Sequence, residues 1–249
     1  MLVSNPMEVV KIIAEFFLVS LAFSYTLFSP VASSELTGNG FIKLISNLSI
    51  GILVLAIIVM PHTGLALKMV TTTALVLISV YHRDQKNAIM WGLYGIIVAL
   101  LAWHISRLAN NNLLNGVFLF SSATFLGIIT YAMTLGHWYL VVPKLSEKPL
   151  KIAAIITWII FAIKILIMIF TLLNNKDFFE NADAFSSIIV IMRITFGYVA
   201  ILAMSFFNWK LVNLRSIQSS TGILYAMTFF VFIGELISAY LYFNNGLLI

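Results

Sequence analysis

The sequence contains no cysteine and few charged residues. Of its 249 residues none is Cys, and only 9% are Asp, Glu, Lys or Arg. Without cysteine the chain forms no disulfide, no thiolate metal site, no iron–sulfur cluster and no c-type haem attachment. With 61% hydrophobic residues and so little charge, the composition lies outside the range of soluble globular domains. The sequence therefore predicts an integral membrane protein.

Several motifs that carry chemistry are also missing. The chain has no GxxxxGK[ST] phosphate loop, no HExxH, no GxSxG and no Arg-rich voltage-sensing repeat. No aromatic-studded basic stretch accompanies its formal net charge of +5. These absences remove support for ATP-driven transport, for known intramembrane hydrolysis and for nucleic-acid binding. We predict no metal site and no nucleic-acid partner, and we attribute the basic balance to membrane topology.

The apolar segments have the length of membrane-spanning helices. A helix needs roughly 20 apolar residues to cross the hydrocarbon core, whereas barrel strands alternate over about 10 residues. We therefore predict an all-α polytopic helix bundle that forms a single transmembrane domain over residues 1–249, with no soluble domain. The third of its eight spans is the shortest. The predicted spans are residues 9–31, 42–60, 65–81, 88–108, 113–142, 152–173, 185–207 and 221–243.

The loops between the spans differ in charge. Cytoplasmic loops of membrane proteins are enriched in Lys and Arg. We therefore predict a multi-pass protein of the inner (plasma) membrane with both termini outside, and we expect the first span to be retained, since its cleavage would place most basic loops outside. The basic side collects Lys43, Arg83, Lys86, Lys144, Lys148, Lys151, Lys210 and Arg215.

Two charges lie deep inside the last two spans. Arg193 and Glu235 are each far from the ends of their apolar runs, and an unpaired ion at such a depth costs at least about 2.5 to 3.5 kcal/mol. At about 1.5 Å per residue, both lie roughly 10 to 13 Å below the outer end of their span. We therefore predict that Arg193 and Glu235 face inward and contact each other.

Further ionisable residues lie in the same half of the membrane. Lys164 and Glu15 are inside spans six and one, and Lys68 and His104 are about one turn inside spans three and four. One interpretation is structural, with the charges pairing helices or reaching the outer interface. The other is a water-accessible outward cavity, lined by Glu15, Lys164, Arg193 and Glu235, that binds a polar or anionic ligand or relays protons.

The four histidines are divided between the two membrane faces. His62 and His104 are predicted near the outer face, and His82 and His137 near the inner one. Two histidines on each side, from different spans, could ligate two b-type haems or carry protons. They could equally be interface residues that anchor the helices among lipid head groups. We therefore leave haem b open as a possible cofactor.

The last basic loop is rich in polar residues just before span eight. Arg215, Gln218, Ser219 and Thr221 lie there together with Ser220. Hydroxyl side chains at this position could cap the helix. Alternatively, Arg215 and the free amides of the helix N-terminus could bind a phosphate or a lipid head group.

Three functional hypotheses follow. The preferred one is a membrane subunit of a respiratory or electron-transfer assembly that handles quinone, protons or haem, since it accounts for both the ionisable residues and the interface histidines. The second is a small-solute or ion transporter that uses the charged residues as its site. The third is a structural or assembly-factor protein in which the charges only pair helices. We expect membrane lipids, and other membrane subunits, as partners.

Overall fold

The computed structural model describes residues 6–32, 34–38, 40–60, 64–81, 88–109, 112–142, 145–181 and 183–249. These residues are helical almost throughout. A 3₁₀ turn at Ser29–Val31 extends the first helix, and a π-helical turn at Thr195–Ala200 joins α9 to α10 in one continuous span. The helices are α1 (Pro6–Phe28), α2 (Ser34–Thr37), α3 (Gly40–Val59), α4 (Leu65–Tyr81), α5 (Ala88–Leu108), α6 (Leu113–Val141), α7 (Lys148–Asn174), α8 (Lys176–Asn181), α9 (Ala184–Ile194), α10 (Ile201–Asn213) and α11 (Ile217–Asn245).

The predicted all-α membrane bundle is confirmed. Among the described residues, 7 helical segments are long and apolar enough to cross a membrane. The remaining predicted span, α4, has 17 residues and is therefore about 26 Å long, slightly less than the hydrocarbon thickness of about 30 Å. We call the end of the bundle at which α1 begins the top and the opposite end the bottom.

At the bottom of the bundle, α7, α10 and α11 extend further than their apolar runs indicate. α7 begins at Lys148, with Pro149 in its first turn. Proline is tolerated there because a backbone N–H in the first turn has no partner within the helix. The predicted loop over residues 208–220 is mostly helix, since α10 continues to Asn213 and α11 begins at Ile217. Polar residues that lie beyond the hydrocarbon can continue a helix, so hydropathy alone places these ends too early.

The membrane-crossing helices form two groups of neighbours. In the first group α1, α3, α4 and α5 pack each against the next, and α5 packs back against α1. In the second group α6, α7, the α9–α10 span and α11 follow the same order, and α11 packs back against α6. The groups meet where α1 lies against α6, and there the Ser24 hydroxyl donates a 2.8 Å hydrogen bond to the Ala123 carbonyl.

Small residues allow α1 and α6 to approach closely. A Cβ atom added at Gly127 would overlap the Ser24 side chain, so only glycine fits this crossing. Small residues at such crossings are typical of packed membrane helices. α6 also contacts α5, α7 and α11, and it therefore lies at the centre of the bundle.

The chain turns back into the bundle after α11. Gly246 has a φ of 70°, a left-handed conformation that glycine adopts without steric cost. The residues that follow it are buried, with Leu247 2% exposed and Ile249 0% exposed. The Thr171 hydroxyl donates a 3.0 Å hydrogen bond to the Leu248 carbonyl. This segment covers the top of the second group.

Candidate functional site

Glu235 joins two cations that come from two other spans. Its Oε1 accepts a hydrogen bond from Arg193 Nη2 at 3.1 Å, and its Oε2 accepts one from Lys164 Nζ at 3.0 Å. These side chains are 0 to 2% exposed. The predicted contact between Arg193 and Glu235 is confirmed, and Lys164 shares the same carboxylate. We call Ser122, Lys164, Arg193 and Glu235 the Glu235 cluster.

α6 completes the surroundings of the lysine. Lys164 Nζ donates a 2.7 Å hydrogen bond to the Ser122 hydroxyl. The same nitrogen lies 5.3 Å from the centre of the Phe118 ring and 5.8 Å from that of Phe125. Aromatic faces within about 6 Å stabilise a cation by electrostatic attraction to the ring. The ammonium group therefore has a carboxylate, a hydroxyl and two rings as neighbours.

The guanidinium of Arg193 contacts groups that hydropathy could not indicate. Its Nε donates a 3.2 Å hydrogen bond to the main-chain oxygen of Ile249, and Ser238 donates to the same oxygen. The Tyr198 ring centre lies 4.5 Å from the guanidinium carbon. Its Nη1 has no hydrogen-bond partner among the residues that the structure describes. This nitrogen packs instead against the backbone at Gly197 and Gly234.

A π-helical turn and a glycine contact lie beside Arg193. The turn begins two residues after it, and the backbone of Gly197 within the turn meets Gly234 on α11. A Cβ atom at position 234 would lie 2.7 Å from the Gly197 Cα and 3.0 Å from Arg193 Nη1. π-helical turns occur frequently at functional sites. The two glycines let the arginine and the carboxylate meet at one depth.

Glu15 belongs to a second cluster, in the first group of helices. Its Oε1 lies 2.5 Å from Lys68 Nζ and 3.1 Å from His104 Nε2. Lys68 also donates a 3.0 Å hydrogen bond to the Met60 carbonyl. Glu15 is 1% exposed, Lys68 0% and His104 7%. We call Glu15, Lys68 and His104 the Glu15 cluster.

The four charges predicted to share one cavity thus lie in two clusters. Glu15 pairs within the first group of helices, and Lys164, Arg193 and Glu235 pair within the second. None of these four side chains is more than 2% exposed, so the expected open cavity does not surround them in this conformation. The reason is that each carboxylate finds its cations on neighbouring helices of its own group.

The two nitrogens of His104 are not placed to ligate a haem. The Nε2 atom of His104 faces Glu15, and the opposite edge of its ring lies against Gly64, where an added Cβ would be 2.9 Å from the Nδ1 atom. Neither nitrogen of His104 therefore has space to coordinate a haem iron. His137 lies on the bundle surface with its Nδ1 atom 2.7 Å from the Tyr225 hydroxyl. His62 and His82 lie outside the described residues.

The polar residues before span eight do not converge on one site. Arg215 is 75% exposed and pairs with Glu147 at 3.1 Å, and Gln218 and Ser219 are exposed. Thr221 is buried and donates to the Ile217 carbonyl of its own helix. The expected caps at positions 219–221 are wrong, because α11 begins at Ile217 and its N-cap is Ser216.

A crevice lies beside the Glu235 cluster. It encloses about 550 Å³ between α5, α6 and α7, and its lining includes Asn112, Phe120, Ser121 and Ile163. Ser121 and Ile163 directly precede Ser122 and Lys164 in the chain, but the crevice is mainly apolar and does not reach the charges. A polar solute can reach the carboxylate only if helices separate.

We expect Ser122→Ala to destabilise the protein by about 1.5 to 3 kcal/mol, since it removes a buried hydrogen bond to a charged group. Ser121→Ala is the matched control, because the Ser121 hydroxyl donates only to the Phe118 carbonyl of its own helix. Chemical denaturation of both variants in the same micelles measures the difference. Equal free energies of unfolding would show that the Lys164–Ser122 contact contributes nothing.

The sequence indicated part of this arrangement and missed other parts. It indicated Lys164, Arg193, Glu235 and Glu15 because ions are rare within apolar runs. It missed Ser122, since serines are common in membrane helices, and it missed the main-chain oxygen of Ile249, for which the Gly246 turn was the only signal.

No protein-family model, curated protein or solved structure matches the chain.

Proposed function

We propose that the chain is a membrane carrier for a small carboxylate, with Lys164 and Arg193 as its binding groups. One observation carries the proposal. A lysine and an arginine from different spans hold the two oxygens of a single carboxylate, at 3.0 and 3.1 Å, with at most 2% exposure. This is the geometry in which proteins bind a carboxylate ligand, and here Glu235 provides the carboxylate.

The chemistry of the pair suits an exchange of carboxylates. Arginine presents a planar set of donors that matches a carboxylate, and lysine adds a compact charge. A solute carboxylate that enters replaces Glu235 between the cations, and Glu235 returns when the solute leaves. The cations are therefore never left unpaired in the membrane interior, where their isolation costs several kcal/mol.

The backbone around the pair supports a movement that exposes it. The π-helical turn at Thr195–Ala200 and the contact between Gly197 and Gly234 lie at the junction of the two helices that carry Arg193 and Glu235. Broken or irregular helices at the depth of the site are common in transporters. A small rotation of α11 against this turn would separate Glu235 from Arg193.

A second candidate function is structural, and the closure of both clusters favours it. Each carboxylate is paired with its cations and shielded from the surface, which also suits charges that only fix helix positions. The electron-transfer hypothesis from the sequence receives less support, because neither His104 nor His137 is placed to ligate a haem. We therefore rank the carrier first and the structural role second.

Counterflow in proteoliposomes tests the carrier. Vesicles containing the purified protein are loaded in turn with unlabelled formate, lactate or succinate and diluted into the labelled form of the same acid. We expect transient accumulation of at least one label with the wild-type chain and none with Lys164→Met. Lys151→Met is the matched control, since Lys151 is on the same helix but pairs with Glu147 near the end of the bundle, and it should retain counterflow.

Lys164→Met leaves the Arg193–Glu235 ion pair intact. The site is then neutral, and the variant is expected to fold. Unchanged counterflow in Lys164→Met would contradict the assignment of the site. Equal label in wild-type and protein-free vesicles for all three acids would overturn the carrier and leave the structural candidate.

A further inference from the structure

The two groups of helices are arranged alike. In each, the four spans pack in the order of the chain, and the last packs back against the first. Between the groups, α1 contacts α6, α1 also contacts α11, and α5 contacts α6. The first helices of the two groups thus contact each other, and each first helix also contacts the last helix of the other group. The two groups therefore follow the same order of helix contacts.

Each charge cluster lies within one group of helices. Each involves the first, second, third and fourth helix of its group, since Lys68 also reaches the Ala56 carbonyl on α3 at 3.5 Å. In chain order the contributing residues are Glu15, Ala56, Lys68 and His104 in the first group and Ser122, Lys164, Arg193 and Glu235 in the second.

With a neutral His104, the described side chains of the two clusters differ by one positive charge. The Glu235 cluster has two cations and one carboxylate, Lys164, Arg193 and Glu235. The Glu15 cluster has one cation, one carboxylate and His104, whose Nε2 atom lies on the same oxygen that Lys68 contacts. Protonation of His104 gives both clusters the same set of charges. Histidine is the side chain whose ordinary protonation changes between about pH 5 and 8.

We propose that the Glu15 cluster is a proton-binding site, with His104 as the group that takes up the proton that the carrier moves together with its carboxylate. The inference rests on the proposed carrier function for the coupling, and on the cluster geometry for the proton site itself. The Glu15 Oε1 atom lies 3.1 Å from His104 Nε2 and also contacts Lys68, so the imidazole faces a carboxylate that a lysine already pairs.

Among the residues that the structure describes, the other charged groups on the helices around His104 are exposed to solvent and therefore screened. On its own helix Arg107 is exposed, and on α1 Glu8 and Lys11 are exposed. On α4 the charged residue is Lys68, and the sequence of α6, which also packs against α5, contains no Asp, Glu, Lys or Arg. Among the described residues, the charged groups in direct contact within this cluster are thus Glu15 and Lys68.

Nuclear magnetic resonance of labelled histidine tests the proton site without transport. The variant with His62, His82 and His137 all changed to Gln retains His104 as its single histidine. In nanodiscs, we expect its imidazole nitrogens to change between the neutral and charged signatures as the pH is varied across about 5 to 8. An imidazole that keeps one signature over that range overturns the proposal, whatever the transport result.

The coupling is tested by the pH dependence of counterflow. We expect carboxylate counterflow by the wild-type chain to change several-fold across the same pH range, and the change to be absent in His104→Gln. His137→Gln is the control, since His137 lies on the surface beside Tyr225, and it should retain the wild-type profile. A pH profile of His104→Gln equal to that of the wild type overturns the coupling. A titrating His104 in a protein without counterflow contradicts the carrier alone.

Discussion

Glu235→Gln destabilises the protein by roughly 3 to 5 kcal/mol, the usual cost of removing one partner of a buried ion pair. Glutamine keeps the shape of the side chain but leaves Lys164 and Arg193 facing each other's charge without a carboxylate between them. For a chain of this size the loss lowers the thermal midpoint by about 10 °C. Thermal unfolding in one detergent, monitored by circular dichroism, measures the change.

Glu147→Gln is the control for Glu235→Gln. Glu147 also pairs with a lysine and an arginine, Lys151 and Arg215, but at the end of the bundle, where Arg215 is 75% exposed. Exposed ion pairs contribute little, so its midpoint should stay close to that of the wild type. Similar midpoints for the two variants would mean that the buried carboxylate does not hold the cations.

Gly234→Ala is expected to destabilise the protein by about 1 to 3 kcal/mol, the range for overpacking in a dense core. The added methyl group would lie 2.7 Å from the Gly197 Cα, which is backbone and cannot rotate away, and 3.0 Å from Arg193 Nη1. α11 must then move from the π-helical turn, and the Arg193–Glu235 contact lengthens. Chemical denaturation gives the free energy of unfolding.

The same substitution elsewhere on α11 should have the opposite sign. At Gly222 an added Cβ meets nothing within 4 Å, and alanine is a better helix former than glycine by up to about 1 kcal/mol. Gly222→Ala is therefore expected to stabilise the protein slightly. If Gly234→Ala were as stable as Gly222→Ala, the close contact at Gly197 would not constrain the helices.

The sequence predicted the features that depend on the solvent properties of the bilayer. Helix number, the short third span and the limits of α4 and α5 follow from apolar length. The meeting of Arg193 with Glu235 follows from depth, because both lie equally far from the end of their spans. Depth also places Lys68 and His104 near the level of Glu15, although it does not indicate which carboxylate each one joins.

The features that the sequence did not predict depend on rotation of the helices and on their neighbours. Hydropathy gives the depth of a charge but not the direction of its side chain. Glu15 could therefore not be separated from the Glu235 cluster before its contacts with Lys68 on α4 and His104 on α5 were known. Polar helix ends outside the hydrocarbon have no apolar signal. For this reason the start of α11 at Ile217 was placed too late.

The 17-residue length of α4 gives the bundle an uneven hydrophobic height. At about 26 Å, α4 is shorter than an average hydrocarbon core, whereas α6 and α11 have 29 residues each. Lipids beside α4 must therefore shorten or tilt their acyl chains, at a cost of fractions of a kcal/mol per Å. The side of the protein formed by α4 thus favours a locally thinned bilayer. A change in membrane thickness therefore alters the hydrophobic mismatch at the first group of helices more than at the second.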